Sequence, residues 1–190
     1  HKNFKPIPAE LLPNKYQGLK NAVLHVGHSG FYKNFDRLIK ALGACSKKIL
    51  LVKVGPLPIK YKHMLEKNKI PFLHFEQLNF EDLVLIYNSV GLLAMPSRYE
   101  GFGFPVLEAM ACGCPVICSK AGSLSEISGG AAFETDGADY QSLSVSIERI
   151  LTEESLRQAL ISKGLMRARD FGWDATADKT AGVYRIVGGN

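Results

Sequence analysis

Short apolar runs alternate with longer stretches of helical period from residue 21 onward, and that alternation restricts the chain to very few folds. The runs fall at 22–26, 49–54, 72–75, 91–95 and 115–118, with a sixth at 131–133. Strands that are apolar on both faces belong to a parallel sheet covered by helices on each side, because a half-exposed strand would alternate polar with apolar residues. Helical spacing of apolar positions predicts helices over 34–42, 59–68, 81–88, 105–112, 140–151, 154–171 and 173–187. The expected fold class is α/β, a Rossmann-like doubly wound parallel sheet with helices on both faces, filling one domain over 21–190. Residues 1–20, which hold Pro6, Pro8 and Pro13, read as an extended linker or crossover and not as a core element.

Composition narrows the function classes. With 46% apolar residues, a chain of 190 residues buries an adequate core without disulfides or metals. Cys45, Cys112, Cys114 and Cys118 lack the paired spacing of a zinc site and read as free thiols. The net charge of +5 is scattered instead of striped with aromatic residues, so no nucleic-acid partner is expected. The same charge suits an anionic diphosphate or anionic lipid headgroups and does not choose between them. No apolar run approaches the roughly 18 residues of a spanning helix, and the start lacks the apolar core of a secretory signal. A cytoplasmic chain is expected, with peripheral contact at the inner face of a membrane left open. The sequence begins at His1 without an initiator Met, as a piece of a longer protein would.

Right-handed crossovers place ligands at the carboxyl ends of parallel strands, which directs attention to loops 27–33, 55–58, 76–79 and 97–104. The last of these, from Ser97 to Phe104, carries the strongest chemical signal. A buried strand runs into Gly101-Phe102-Gly103, and a helix is expected to begin at Pro105. Glycines let backbone approach a ligand closely, and the free N–H groups of the helix start favour an anion. Glu100 and Glu108 bracket that turn with seven residues between them, a spacing that can aim both at one cleft. Carboxylates accept paired hydrogen bonds from neighbouring hydroxyls, so a ribose diol or a sugar ring is a natural partner.

The segment "PSRYEGFGFPVLEAMACGCPVICSKAGSLSEI" resembles the central signature of retaining glycosyltransferase family 4, whose members have the two-lobed GT-B fold. The likeness extends over nearly the whole chain, through "HVGHSGFYKNFDRLIKAL" and the stretch that follows Ala121. It implies the C-terminal, nucleotide-sugar-binding lobe, with Glu108 on the ribose hydroxyls and Glu100 at the transferred sugar. Lys33, after the glycine Gly27, would neutralise the donor diphosphate. Amides from Gly101, Phe102, Gly103 and Phe104 would line the sugar and phosphate, and Leu78 would pack on the base. Many relatives carry Arg after the strand glycine. This chain has His28, which loses the bidentate fork and reads as a weaker phosphate contact.

The resemblance further implies partners: a nucleotide-diphosphate sugar donor, a saccharide or lipid-linked acceptor, and an N-terminal acceptor lobe missing here. Without that lobe the isolated chain is expected to bind donor weakly and transfer nothing. No Asp-x-Asp pair is present, so neither a metal nor another cofactor is expected. Two other readings stay open, a non-catalytic sugar-nucleotide-binding lobe that pairs with a separate subunit and a lobe of the sugar-nucleotide 2-epimerase type. His25, inside an expected strand, reads as a satisfied core histidine, and Glu126 as a local cap or loop brace.

Overall fold

The structure is a computed structural model that describes residues 3–137 and 139–188. Six strands alternate with helices: β1 Val23–Val26, α1 Phe35–Ala44, β2 Leu51–Val54, α2 Ile59–Lys67, β3 Phe72–Phe75, α3 Phe80–Ser89 and β4 Leu92–Met95. The second half runs α4 Phe104–Ala111, β5 Val116–Ser119, α5 Leu124–Ser128, β6 Phe133–Thr135, α6 Tyr140–Thr152, α7 Glu154–Ala168 and α8 Trp173–Val187. All neighbouring strands pair in parallel, in the order β3-β2-β1-β4-β5-β6. That is the doubly wound order, with the chain starting in the middle of the sheet and winding outward in both directions.

Successive side chains of a strand point to opposite faces, and the core divides accordingly. Leu24, Val52, Leu93 and Met95 meet Tyr87, Val106 and Met110 on one side of the sheet. Val23, Leu51, Leu92, Ala94 and Ile117 meet Phe35, Leu38, Ile147 and Ile150 on the other. Apolar runs without alternation thus reflect burial on both sides, as the sequence led us to expect.

Several elements differ from expectation. The sixth strand lies at Phe133–Thr135, because the Ala131 N–H closes a turn onto Ser128 O and delays the ladder. That turn ends α5, a short helix the apolar pattern did not predict. Helix α4 starts at Phe104, with Gly103 as its N-cap and Pro105 second. Residues 3–20 are more than a bare linker. Phe4, and Leu12, Tyr16 and Leu19 in or beside short 3-10 turns, are buried, and Phe4, Tyr16 and Leu19 join the core that holds Tyr87. The prolines remove donors without preventing burial, since Ile7 N–H reaches Asn88 Oδ1 at 2.7 Å and the Tyr16 hydroxyl donates to Asp82 at 2.7 Å. No described helix is long and apolar enough to cross a membrane.

Phe4 packs edge-on against Phe80 and Tyr87, with ring centroids 5.0 and 5.9 Å away. Phe4→Ala is expected to destabilise the chain by about 3 kcal/mol in denaturant melts, the usual cost of emptying a buried aromatic site. A loss below about 0.5 kcal/mol would mean that the segment is only draped over the core.

Candidate functional site

Strands β1 and β4 are neighbours whose following chains depart in opposite directions, which opens a crevice at their carboxyl ends. Beyond β1, Gly27 turns at φ 108°, and a 3-10 turn over Phe31–Lys33 leads to Asn34 at φ 55°. The Asn34 amide donates to Pro96 O at 3.0 Å and to Gly137 O at 2.6 Å. Arg98 N–H adds a bond of 2.7 Å to Tyr32 O, so the loops after β1 and β4 are stapled together.

Those staples bring Lys33 to Glu100. Lys33 Nζ lies 2.7 Å from Glu100 Oε1, with both side chains about a tenth exposed, at 11% and 10%. Ser97 Oγ donates to the same oxygen at 2.6 Å. A Cβ on Gly27 would sit 3.6 Å from Lys33 Nζ, which places the Gly27 backbone directly against the ammonium. Four of the sequence-predicted residues, Gly27, Lys33, Ser97 and Glu100, thereby form one cluster at the crevice.

The turn from Gly101 to Gly103 is held from behind. Ser123 Oγ lies 2.7 Å from Phe102 O and 3.0 Å from Glu100 O, and its one proton is shared between the two carbonyls. Gly103 has φ 104°, and a Cβ there would come within 2.9 Å of Leu124 Cδ2. No side chain caps α4, so its start keeps donors for an anion. Phe102 and Phe104 stack on each other with centroids 4.6 Å apart.

Glu108, in the second turn of α4, has its own hydrogen-bond partner. Tyr87 Oη donates to Glu108 Oε2 at 2.8 Å, and burial raises the carboxyl pKa against the opposing pull of that bond. Glu108 lines a groove of about 170 Å3 with Phe102, Phe104, Phe171 and Trp173. Among the described residues the two carboxylates share no hydrogen-bond partner, so a single cleft for both is not drawn by contacts within this chain. His28 is exposed in a recess of about 380 Å3 with Tyr32, Pro56 and Lys60. Leu78 is half-buried after β3 against the core that holds Tyr87. A larger recess of about 840 Å3 opens on the α6 side of the sheet and shares Ser97 with the cluster, but not Lys33, Glu100 or Glu108. No group of three or more His, Cys, Asp or Glu among the described residues could hold a metal.

Sequence reasoning overlooked Lys53. It lies in β2 with no exposed surface, and its ammonium donates to Gly27 O and, at 2.8 Å, to Val54 O. Its signal was available, a lone charge in the apolar run Leu50 to Val54. Burial lowers its pKa to about 8, with Glu76 opposing and Lys33 adding to the fall. His25, its register partner on β1, is buried against Phe35 at 4.7 Å between ring centroids. Burial first, then Lys53 and Lys33, hold its pKa well below the ordinary value, so it is neutral.

The protein family described as glycosyl transferases group 1 matches residues 13–166, and the chain belongs to that family. O-antigen chain mannosyltransferase B of Escherichia coli is 38% identical over 107 residues, 56% of this chain and 28% of that protein. Sucrose-phosphate synthase from Thermosynechococcus elongatus superposes with a TM-score of 0.84 at 25% identity, over 98% of this chain and half (50%) of that one. The C-terminal domain of a group 1 protein from Francisella tularensis shares the fold at 20% identity and TM-score 0.74, over 89% of this chain and 95% of that domain. The sheet and helices are thus one lobe of a GT-B fold. The chain spans between about a sixth and a half of the length of the curated relatives it matches.

Lys53 makes stability depend on pH with a definite sign. Its folded pKa of about 8 lies below the unfolded value of 10.5, so between those values the unfolded chain holds the extra proton. Stability should therefore rise from about pH 8 to about pH 10.5, by up to about 3 kcal/mol, relative to Lys53→Met measured under the same conditions. Parallel profiles for the two proteins would show that Lys53 is not destabilised in its charged form.

Proposed function

From that membership we propose that the chain is the donor-binding lobe of a retaining glycosyltransferase, which moves a sugar from a nucleotide-diphosphate sugar to a saccharide or glycolipid acceptor. The observation that carries this reading is the Lys33–Glu100–Ser97 cluster against the Gly27 backbone, at the point where the sheet splits its connections. The relative named as a mannosyltransferase of O-antigen chains puts mannose first among the sugars and a polysaccharide first among the acceptors.

As the sugar leaves, negative charge builds on the departing diphosphate, and the site must hold that charge. Lys33 carries three donors and gives one to Glu100, so it can exchange toward a phosphate oxygen while Ser97 keeps Glu100 in place. The open start of α4 supplies amide donors and a favourable dipole beside it. No metal is needed for that neutralisation. Glu100, released from Lys33, is left to accept hydroxyls of the transferred sugar. Tyr87 occupies Glu108 Oε2 and fixes the side chain, which leaves Oε1 for the ribose diol. Phe102 and Phe104 flank that position, and Leu78 packs on the base. An N-terminal lobe would bring the acceptor and close the crevice, so the chain alone is expected to bind donor without transferring it.

Titrating UDP, GDP and ADP, each with and without an attached sugar, tests the division of labour. Glu108→Ala should weaken every nucleotide alike by about tenfold, the cost of one charged hydrogen-bonding group. Glu100→Ala should matter only when the sugar is attached. Equal losses of plain-nucleotide binding in both variants would refute the assignment. Failure of the unmodified chain to bind any of the ligands at about 1 mM, a very weak affinity, would end the donor-lobe reading itself.

A further inference from the structure

Lys53 has no carboxylate bonded to it, yet it stands in the middle of an apolar strand, wholly buried beside His25 of β1 and His74 of β3. Burying an ammonium is expensive, and an aliphatic side chain would fill the same space at no such cost. What the charge achieves there is the capture of two main-chain carbonyls, Val54 O on its own strand and Gly27 O at the end of β1.

The Gly27 carbonyl is confined from every side that the contacts define. Gly55, at φ 97°, has its Cβ position 2.7 Å from Gly27 O, so that only glycine admits the approach. Gly27 N–H is bonded to Val54 O at 3.0 Å. The peptide that follows is trans and planar, so its N–H points opposite to its C=O. With Gly27 O drawn to Lys53 of β2, the His28 N–H must point away from β2, to the side of β1 on which β4 lies. Among the described residues it meets no acceptor. Lys33 Nζ lies against the same Gly27.

We propose that Lys53 is a positioning residue of the donor site: by holding the Gly27 carbonyl inward, it offers the His28 N–H, next to the Lys33 ammonium, to the diphosphate of the donor. This inference rests on the donor-lobe reading and gives the position after Gly27 a main-chain contact that is independent of the histidine ring. It also couples the site to protonation. The charged and titratable groups around Lys53 are His25 and Lys33 from β1 and its loop, His74 in β3 and Glu76 after it, with the Phe35 ring of α1 5.7 Å away. Glu76 is exposed and lies 3.4 Å from His74 Nε2, so it compensates little. An incoming diphosphate therefore brings the anionic charge that favours a protonated Lys53.

The test compares the unmodified chain with Lys53→Met, which keeps the length and removes the donors, and Lys53→Gln, which keeps a neutral donor. UDP and GDP binding is measured against uridine and guanosine from about pH 7.5 to about pH 9.5, a window in which Lys53 loses its proton. The His28 amide resonance is followed as inorganic pyrophosphate is added, and melting temperatures establish which variants are folded. Both variants should lose diphosphate affinity, Lys53→Met by about tenfold, with nucleoside binding unchanged. The unmodified chain should lose affinity for diphosphates as pH rises, the variants should respond less, and pyrophosphate should shift the His28 amide in the unmodified chain more than in Lys53→Met. If a folded variant binds UDP and GDP within about twofold of the unmodified chain throughout, Lys53 has no such role, although the donor site stands. If Lys53→Met does not fold, Lys53→Gln and the pH profile of the unmodified chain decide. If the unmodified chain binds no nucleoside diphosphate, the donor-lobe reading falls and this role falls with it.

Discussion

Neighbouring strands β1 and β4 lead their chains away from each other, and the gap that opens at their ends can be filled only by what their loops supply. Lys33 comes from one loop and Glu100 from the other, and their ion pair closes the gap at 2.7 Å. Neither residue could be placed without the other's loop. Asn34, bonded to both Pro96 O and Gly137 O, ties the start of α1 to the ends of β4 and β6. Arg98 N–H on Tyr32 O completes the tie. A pair so nearly buried costs desolvation on both sides, and Ser97 offsets part of that cost by donating to the same carboxylate oxygen.

Close main-chain approach is the second requirement, and glycines meet it at the few positions where a side chain would collide. Gly55 admits the Gly27 carbonyl, and Gly122, at φ 58°, would put a Cβ 2.7 Å from Glu100 O. Each of these glycines lies behind a loop that reaches the crevice. Rigidity there is built from the strand ends outward, as a site that must meet developing charge with fixed dipoles requires.

The electrostatics are uneven by design of the sheet. Lys33 and Lys53 both reach Gly27 at the end of β1, and burial together with their charges keeps His25 neutral. Under the proposed reading this gives the crevice a positive end before any ligand arrives. Glu108 stands apart, held by Tyr87 in the groove between α4 and α8. Helix α8 has no buried residue of its own, so this groove has a thin outer wall.

The sheet and its parallel sense were legible in the sequence because burial on both faces leaves unbroken apolar runs, and Gly-Phe-Gly before a helix marked the loop in which the candidate cluster forms. The cysteines were rightly read as free thiols, and His25 as a core residue, but not as a satisfied one, because its Nδ1 is buried without a hydrogen-bond partner among the described residues. Local pattern could not reveal which partner each acid would take. Lys33 and Glu100 are 67 positions apart, and Tyr87 lies 21 from Glu108. Nor could it reveal that a proline-rich opening segment would anchor Phe4, Tyr16 and Leu19 in the core, or that a lone lysine in an apolar strand would grip Gly27. Periodicity reports how often a side chain turns toward the interior. What it meets there is decided by contacts between distant segments, and these exist only once the sheet has brought them together.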